Sequence, residues 1–161
     1  MNKGNICIYY GEGHGKSTAA MGRALETAAM GGSVFIIQFL KGRTSPLAEY
    51  MKKCEPEIKI FQFEKKDQRY EELNAADKEE EKINIRNAVG FARKVLATGE
   101  CQLLVLDEFL GVLDVGIISV SEFTEMLAKK SPEMDVIVTG RLLNPSVKGL
   151  ADELYMIKSD N

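Results

Sequence analysis

The residues most capable of chemistry stand together near the start of this chain, in Gly11-Glu12-Gly13-His14-Gly15-Lys16-Ser17-Thr18. Glycines permit positive φ, so successive backbone N–H groups can curl around a phosphate. A helix opening at the end of such a loop adds its own unpaired N–H groups and partial positive charge. Lys16 supplies a mobile cation for phosphate oxygens, and Ser17 a hydroxyl for Mg²⁺. The spacing Gly11-x-x-x-Gly15-Lys16 is one residue shorter than the common phosphate-loop pattern. Asp107-Glu108 follows the apolar run 103–106 (LLVL), where a carboxylate can hold Mg²⁺ directly or through water, opposite Ser17. Glu108 points elsewhere around the strand end, so the two carboxylates have different tasks. Thr139-Gly140-Arg141 follows another apolar run, and the Arg141 guanidinium suits bidentate contact with phosphate, a surface salt bridge being the equal alternative. His14 is either a phosphate donor or a solvated loop tip.

These groups act together only if the fold delivers them to one edge. Residues 5–10 (NICIYY) read as a buried strand ending at Gly11, and 17–30 as an alanine-rich helix with Ala20, Ala24, Thr27 and Ala28 on one face. Residues 34–40 (VFIIQFL) form a second continuous apolar strand, 46–53 a short helix, and 58–63 (IKIFQF) a third strand. The stretch 64–82, dense in charge of both signs, reads as a loop leading into a solvated helix; from Ile83 the helix is amphipathic, with Ile85, Val89, Ala92 and Leu96 at helical spacing. Strands at 103–106, 136–138 and 154–157 and helices at 120–129 and 147–151 complete the order. Unbroken apolar strands alternating with helices indicate a doubly wound α/β fold: a mostly parallel sheet of about six strands, helices on both faces, and ligands at the strands' carboxyl ends.

The whole chain bounds the possibilities. Its 161 residues fit one domain, 1–161, and 45% hydrophobic with 28% charged residues is an ordinary globular mixture. A net charge of −3 disfavours a mainly electrostatic binder of nucleic acid or anionic membrane. Three cysteines, Cys7, Cys54 and Cys101, without Cys-x-x-Cys spacing argue against a disulfide framework or a zinc site and fit the cytosol. The single histidine excludes any multi-histidine metal centre. No apolar stretch approaches a membrane span. Phe61, Phe63 and Tyr70 read as core or loop anchors rather than as a ligand-stacking set.

GEGHGKSTAAMG, QFLKG (38–42), LLVLDE (103–108), VIVTGR (136–141) and LADEL (150–154), in this order, resemble the phosphate-loop family of ATP:corrinoid adenosyltransferases over nearly the whole chain. The shortened loop is part of that resemblance. The resemblance implies a P-loop NTPase-like enzyme that transfers the 5′-deoxyadenosyl group of ATP to cobalt(I) of a corrinoid and releases triphosphate. It implies that residues 11–17 cradle the triphosphate, with Lys16 neutralising it and Thr18 beside it. It also implies that Ser17 and Glu108 join the Mg²⁺ shell, Asp107 supports it, and Arg141 binds the leaving group. A cytoplasmic homodimer served by an electron-donating reductase is the family expectation. His14 stands where the family commonly has lysine. The chain has no tryptophan, so the family's phenylalanine-x-tryptophan segment lacks a counterpart. Residues 61–70 are then expected to act as a mobile aromatic lid over the corrinoid. An ordinary ATPase or small-molecule kinase and a non-catalytic nucleotide-binding relative are the competing expectations.

Overall fold

The computed structural model describes residues 3–43 and 46–160. Six strands, β1 (Ile6–Tyr10), β2 (Val34–Gln38), β3 (Ile58–Gln62), β4 (Leu103–Asp107), β5 (Asp135–Gly140) and β6 (Glu153–Met156), form one sheet in the order β3-β2-β4-β5-β1-β6. Every pairing is parallel, with Ile8 opposite Val138 and Ile36 opposite Val105. The central strands are apolar runs because both their faces are covered.

On one face, α1 (Lys16–Ala29) sets Ala20, Met21 and Ala24 against Val34, Ile36, Val105 and Ile137, joined by Met51 of α2 (Pro46–Met51). Small residues on α1 let the helix lie close to the sheet. The opposite face is larger. There α3 (Ala75–Thr98), α4 (Phe109–Asp114) and α5 (Val120–Ala128) bury Ile85, Val89, Leu96, Phe109 and Phe123, and α6 (Pro145–Lys148) adds Val147. Phe109 meets Phe39 edge-on at 5.1 Å and Phe123 at 4.8 Å. Each fully buried side chain of this size stabilises the fold by about 1.5–3 kcal/mol.

The chain steps from β1 over two positions to β2 and on to β3, then returns to β4 between β2 and β5 and winds the other way to β6. Because the sheet is wholly parallel, the loops after β1, β2, β4 and β5 gather at one edge. That is where a doubly wound sheet binds ligands.

Two expectations change and one element is new. The stretch 64–82 is not one solvated face: Asn74 caps the Asp77 N–H at 2.8 Å and starts a single helix at Ala75. Within it Glu64, Tyr70 and Glu81 are buried, the Glu81 carboxylate accepting the backbone N–H groups of Lys65 and Lys66. Helix α4 follows Glu108 directly and lacked a periodic signal because it is so short. The aromatic lid also fails. Phe61 and Phe63 pack on Phe91 at 4.7 and 5.7 Å, and Tyr70 is 5% exposed, so all three rings anchor the fold. Elsewhere element ends shift by one to three residues. The strand expected to reach residue 40 stops at Gln38, and Leu40 then turns with φ +67°.

Candidate functional site

The loop after β1 is held from several directions. Gly11 N–H donates to the carbonyls of Gly140 and Arg141 at 3.2 and 3.1 Å, and Gly13 N–H to the Ile157 carbonyl at 3.2 Å. A Cβ at position 11 would collide with the Ile157 carbonyl oxygen, and one at 13 would lie 2.8 Å from the Lys158 Cα. Gly15 caps α1 in the left-handed region at φ +109°, a conformation that turns the chain into the helix at little cost only for glycine. Lys16 Nζ folds back onto the Gly13 carbonyl at 2.6 Å, so the ammonium already sits inside the loop.

Ser17, on the first turn of α1, reaches across to β4. Its Oγ donates to Asp107 Oδ1 at 2.8 Å. Asp107 is fully buried and accepts from three further groups: Thr139 Oγ1 at 2.8 Å, Gln38 Nε2 at 3.3 Å, and Lys41 Nζ. Its charge is thus balanced by one ammonium, which also donates to Ser17 Oγ at 3.0 Å. A hydroxyl and a carboxylate converging on a point already occupied by a cation fit Mg²⁺, a hard ion that prefers oxygen donors.

Glu108 faces away from this cluster. It has φ +62°, its N–H donates to Thr139 Oγ1 at 2.9 Å, and its carboxylate takes both oxygens' bonds from Arg69 at 3.0 and 2.9 Å. Burial pushes the Glu108 carboxyl above the usual carboxylate range, while Arg69 and Lys41 pull in the other direction. Arg69 also holds Glu71 at 2.7 Å; partial burial opposes its charge, but the two carboxylates raise its pKa.

Between these groups lies an open cleft of about 500 Å³, lined by His14, Lys16, Ser17, Thr18, Glu108 and Arg141 among others. Gly11 and Glu12 instead line a second cleft of about 710 Å³, with Leu142, Pro145, Met156 and Lys158. Arg141 borders both clefts. His14 and Arg141 are exposed at their rim. The sequence-expected residues therefore come to one sheet edge, divided between two adjoining clefts except for Asp107, which lies fully buried and lines neither.

Sequence reasoning missed Lys41 and Arg69. Lys41 lies within QFLKG, a segment visible as a pattern, but a lysine just past a strand end gives no local sign that it turns inward. Arg69 was hidden in the mixed-charge stretch, where only a long-range pairing with Glu108 distinguishes it.

Among the described residues no helix is long and apolar enough to cross a membrane. Residues 2–160 match the family model for ATP:corrinoid adenosyltransferase BtuR/CobO/CobP. The corrinoid adenosyltransferase of Escherichia coli K12 is 29% identical over 156 residues, spanning 97% of this chain and 77% of that protein. Corrinoid adenosyltransferase CobA of Salmonella typhimurium is 29% identical with the same coverage, and the corrinoid adenosyltransferase of Pseudomonas aeruginosa is 26% identical over 159 residues, spanning 97% of this chain and 77% of that protein. With a phosphate-type loop, a buried strand-end aspartate and matches across the chain, this protein belongs to the ATP:corrinoid adenosyltransferase family.

Proposed function

We propose that this chain transfers the 5′-deoxyadenosyl group of ATP to cobalt(I) of a corrinoid. The C5′–oxygen bond breaks, a cobalt–carbon bond forms with both electrons from cobalt, and triphosphate leaves with the electron pair of the broken bond. The observation that carries this reading is the contact of Ser17 with buried Asp107 at the foot of a cationic loop, beside an open cleft. Family membership narrows nucleotide chemistry to adenosyl transfer.

Reduced cobalt is itself a strong nucleophile, so the protein's work is orientation and charge. Residues 11–17 hold the triphosphate through backbone N–H groups and Lys16. Arg141, at the junction of the two clefts, meets the departing polyanion. Ser17 and Asp107 would hold Mg²⁺, with Glu108 reaching its shell by exchanging its bond to Arg69. The ion would supply neutralisation of the triphosphate's charge. No side-chain nucleophile is required, which suits a site whose histidine stands exposed at the loop tip.

Residues 1–161 are taken as one nucleotide-binding domain working in the cytoplasm, where its free cysteines stay reduced. Homodimer assembly and an electron-donating reductase complete the proposal.

Incubation with ATP, Mg²⁺ and chemically reduced corrinoid tests it through the phosphate product. Triphosphate is expected. Orthophosphate or a phosphorylated acceptor would make the protein an ATPase or kinase, and no product would make it a binding module. Lys16→Ala should weaken ATP binding by about one to two decades in calorimetry, since a charge-assisted contact is worth about 1.5–3 kcal/mol.

A further inference from the structure

The most heavily engineered contact at this edge belongs to Lys41. Its side chain is 18% exposed, that of Asp107 is 0% exposed, and the ammonium bonds both Asp107 and Ser17. The backbone on either side of Lys41 is gripped by one carboxylate. Glu64, 5% exposed, accepts Leu40 N–H on one oxygen at 2.6 Å and Gly42 N–H on the other at 3.0 Å. Leu40 sits in the left-handed region at φ +67°, which a branched side chain disfavours and a structure keeps only when surroundings enforce it. A buried acid on a strained turn fixes where this lysine points.

The place it points to matters. Ser17 and Asp107 are the two groups that fit a divalent ion, and an ammonium on the same oxygens repels a second cation a few ångströms away. Among the described residues no group of three or more His, Cys, Asp or Glu side chains is arranged to hold a metal. A divalent ion settling here needs oxygens from a phosphate chain as well.

We infer that Lys41 is a resident counter-ion of the metal position, standing between Ser17 and Asp107 until a metal–nucleotide complex displaces it and offers its ammonium phosphate oxygens instead. The inference rests on the ATP reading above. Lys41 is a positioning residue: without nucleotide it balances Asp107 and keeps α1 tied to β4, and it makes free metal a poor ligand. Metal and nucleotide then enter together. Removing the ammonium should loosen that linkage, because each ligand's effect on the other is reciprocal.

The test is Mn²⁺ binding followed by electron paramagnetic resonance, on wild type, Lys41→Met and Lys41→Gln, first alone and then with a non-hydrolysable ATP analogue. Both variants should bind Mn²⁺ alone about tenfold more tightly than wild type, within the usual span of such couplings. The extra Mn²⁺ affinity conferred by the analogue should shrink by a similar factor. A purely structural lysine would not tighten metal binding when removed. Lys41→Gln leaves Asp107 a hydrogen-bond donor, so it decides the matter if Lys41→Met does not fold. Unchanged or weaker Mn²⁺ binding beside normal analogue binding overturns the role of Lys41 alone. Failure of wild type to bind the analogue overturns the ATP reading and the exchange with it.

Discussion

Asp107 and Glu108 are neighbours in sequence, yet the structure gives them opposite surroundings. Asp107 closes β4 with its side chain turned inward, accepting from α1, β2, β5 and the Lys41 turn, and no part of it reaches solvent. Glu108 takes one left-handed step and turns outward, where a half-exposed arginine holds it at the edge of the cleft. The difference is between a carboxylate enclosed by four donors and one held at the cleft edge by a single arginine. Breaking a buried ion pair costs about 3–5 kcal/mol because the orphaned partner stays buried. The partly exposed pair of Glu108 with Arg69 costs less to break, because water reaches both partners. Backbone geometry at one residue thus sends neighbouring carboxylates to the interior and to the cleft edge.

The contrast is most easily broken at Asp107. Asp107→Ala should cost about 3–5 kcal/mol in urea unfolding, since it leaves Lys41 and three other donors without their acceptor. A loss below 1 kcal/mol would erase the distinction. Next in size, Glu108→Gln should leave unfolding within about 1 kcal/mol of wild type while lowering kcat about ten- to a hundredfold, a transition-state effect of about 1.4–2.7 kcal/mol. Steady-state kinetics showing a raised ATP KM with normal kcat would place Glu108 in ground-state binding instead. The smallest effect sharpens the inward side. Glu64→Gln should cost about 1 kcal/mol, because an amide cannot accept both clamped N–H groups through its two ends. Burial, opposed by the bonds from Leu40 and Gly42, raises the Glu64 pKa in the folded state. A raised acid pKa stabilises fully below the unfolded value and loses that contribution as pH rises through the folded one. Wild type should therefore lose part of this contribution as pH rises past the ordinary carboxylate range in urea titrations, a slope that the non-titrating Glu64→Gln lacks.

What could be read from the residues alone follows the same division. The strands at β1, β2, β4 and β5 and the glycine-lysine loop announce themselves because apolar runs and glycine punctuation are local signals. Asp107-Glu108 at a strand end was legible too, as was their facing different ways around it. The inward turn of Lys41 was not, because it depends on Glu64 two dozen residues away gripping a left-handed leucine. Nor was Arg69, or the burial of Glu81, since a run of mixed charge looks solvated until its long-range acceptors are known. Periodicity reports which face of an element is covered, and it is silent on which charges find each other.

The seam between the phosphate-type loop and the last strand has a consequence for how the protein is made. Gly11 and Gly13 leave no room for a side chain because the backbone of Ile157 and Lys158 lies against them, and Gly13 N–H bonds to the Ile157 carbonyl. The motif that looks most local in the sequence is completed by residues from the other end of the described chain. Contacts of such wide separation form late, after loop-closure entropy has been met by the rest of the fold. During synthesis this loop emerges before β6, and its final shape should await the docking of β6 beside β1. Nucleotide binding should therefore be among the last properties the nascent chain acquires.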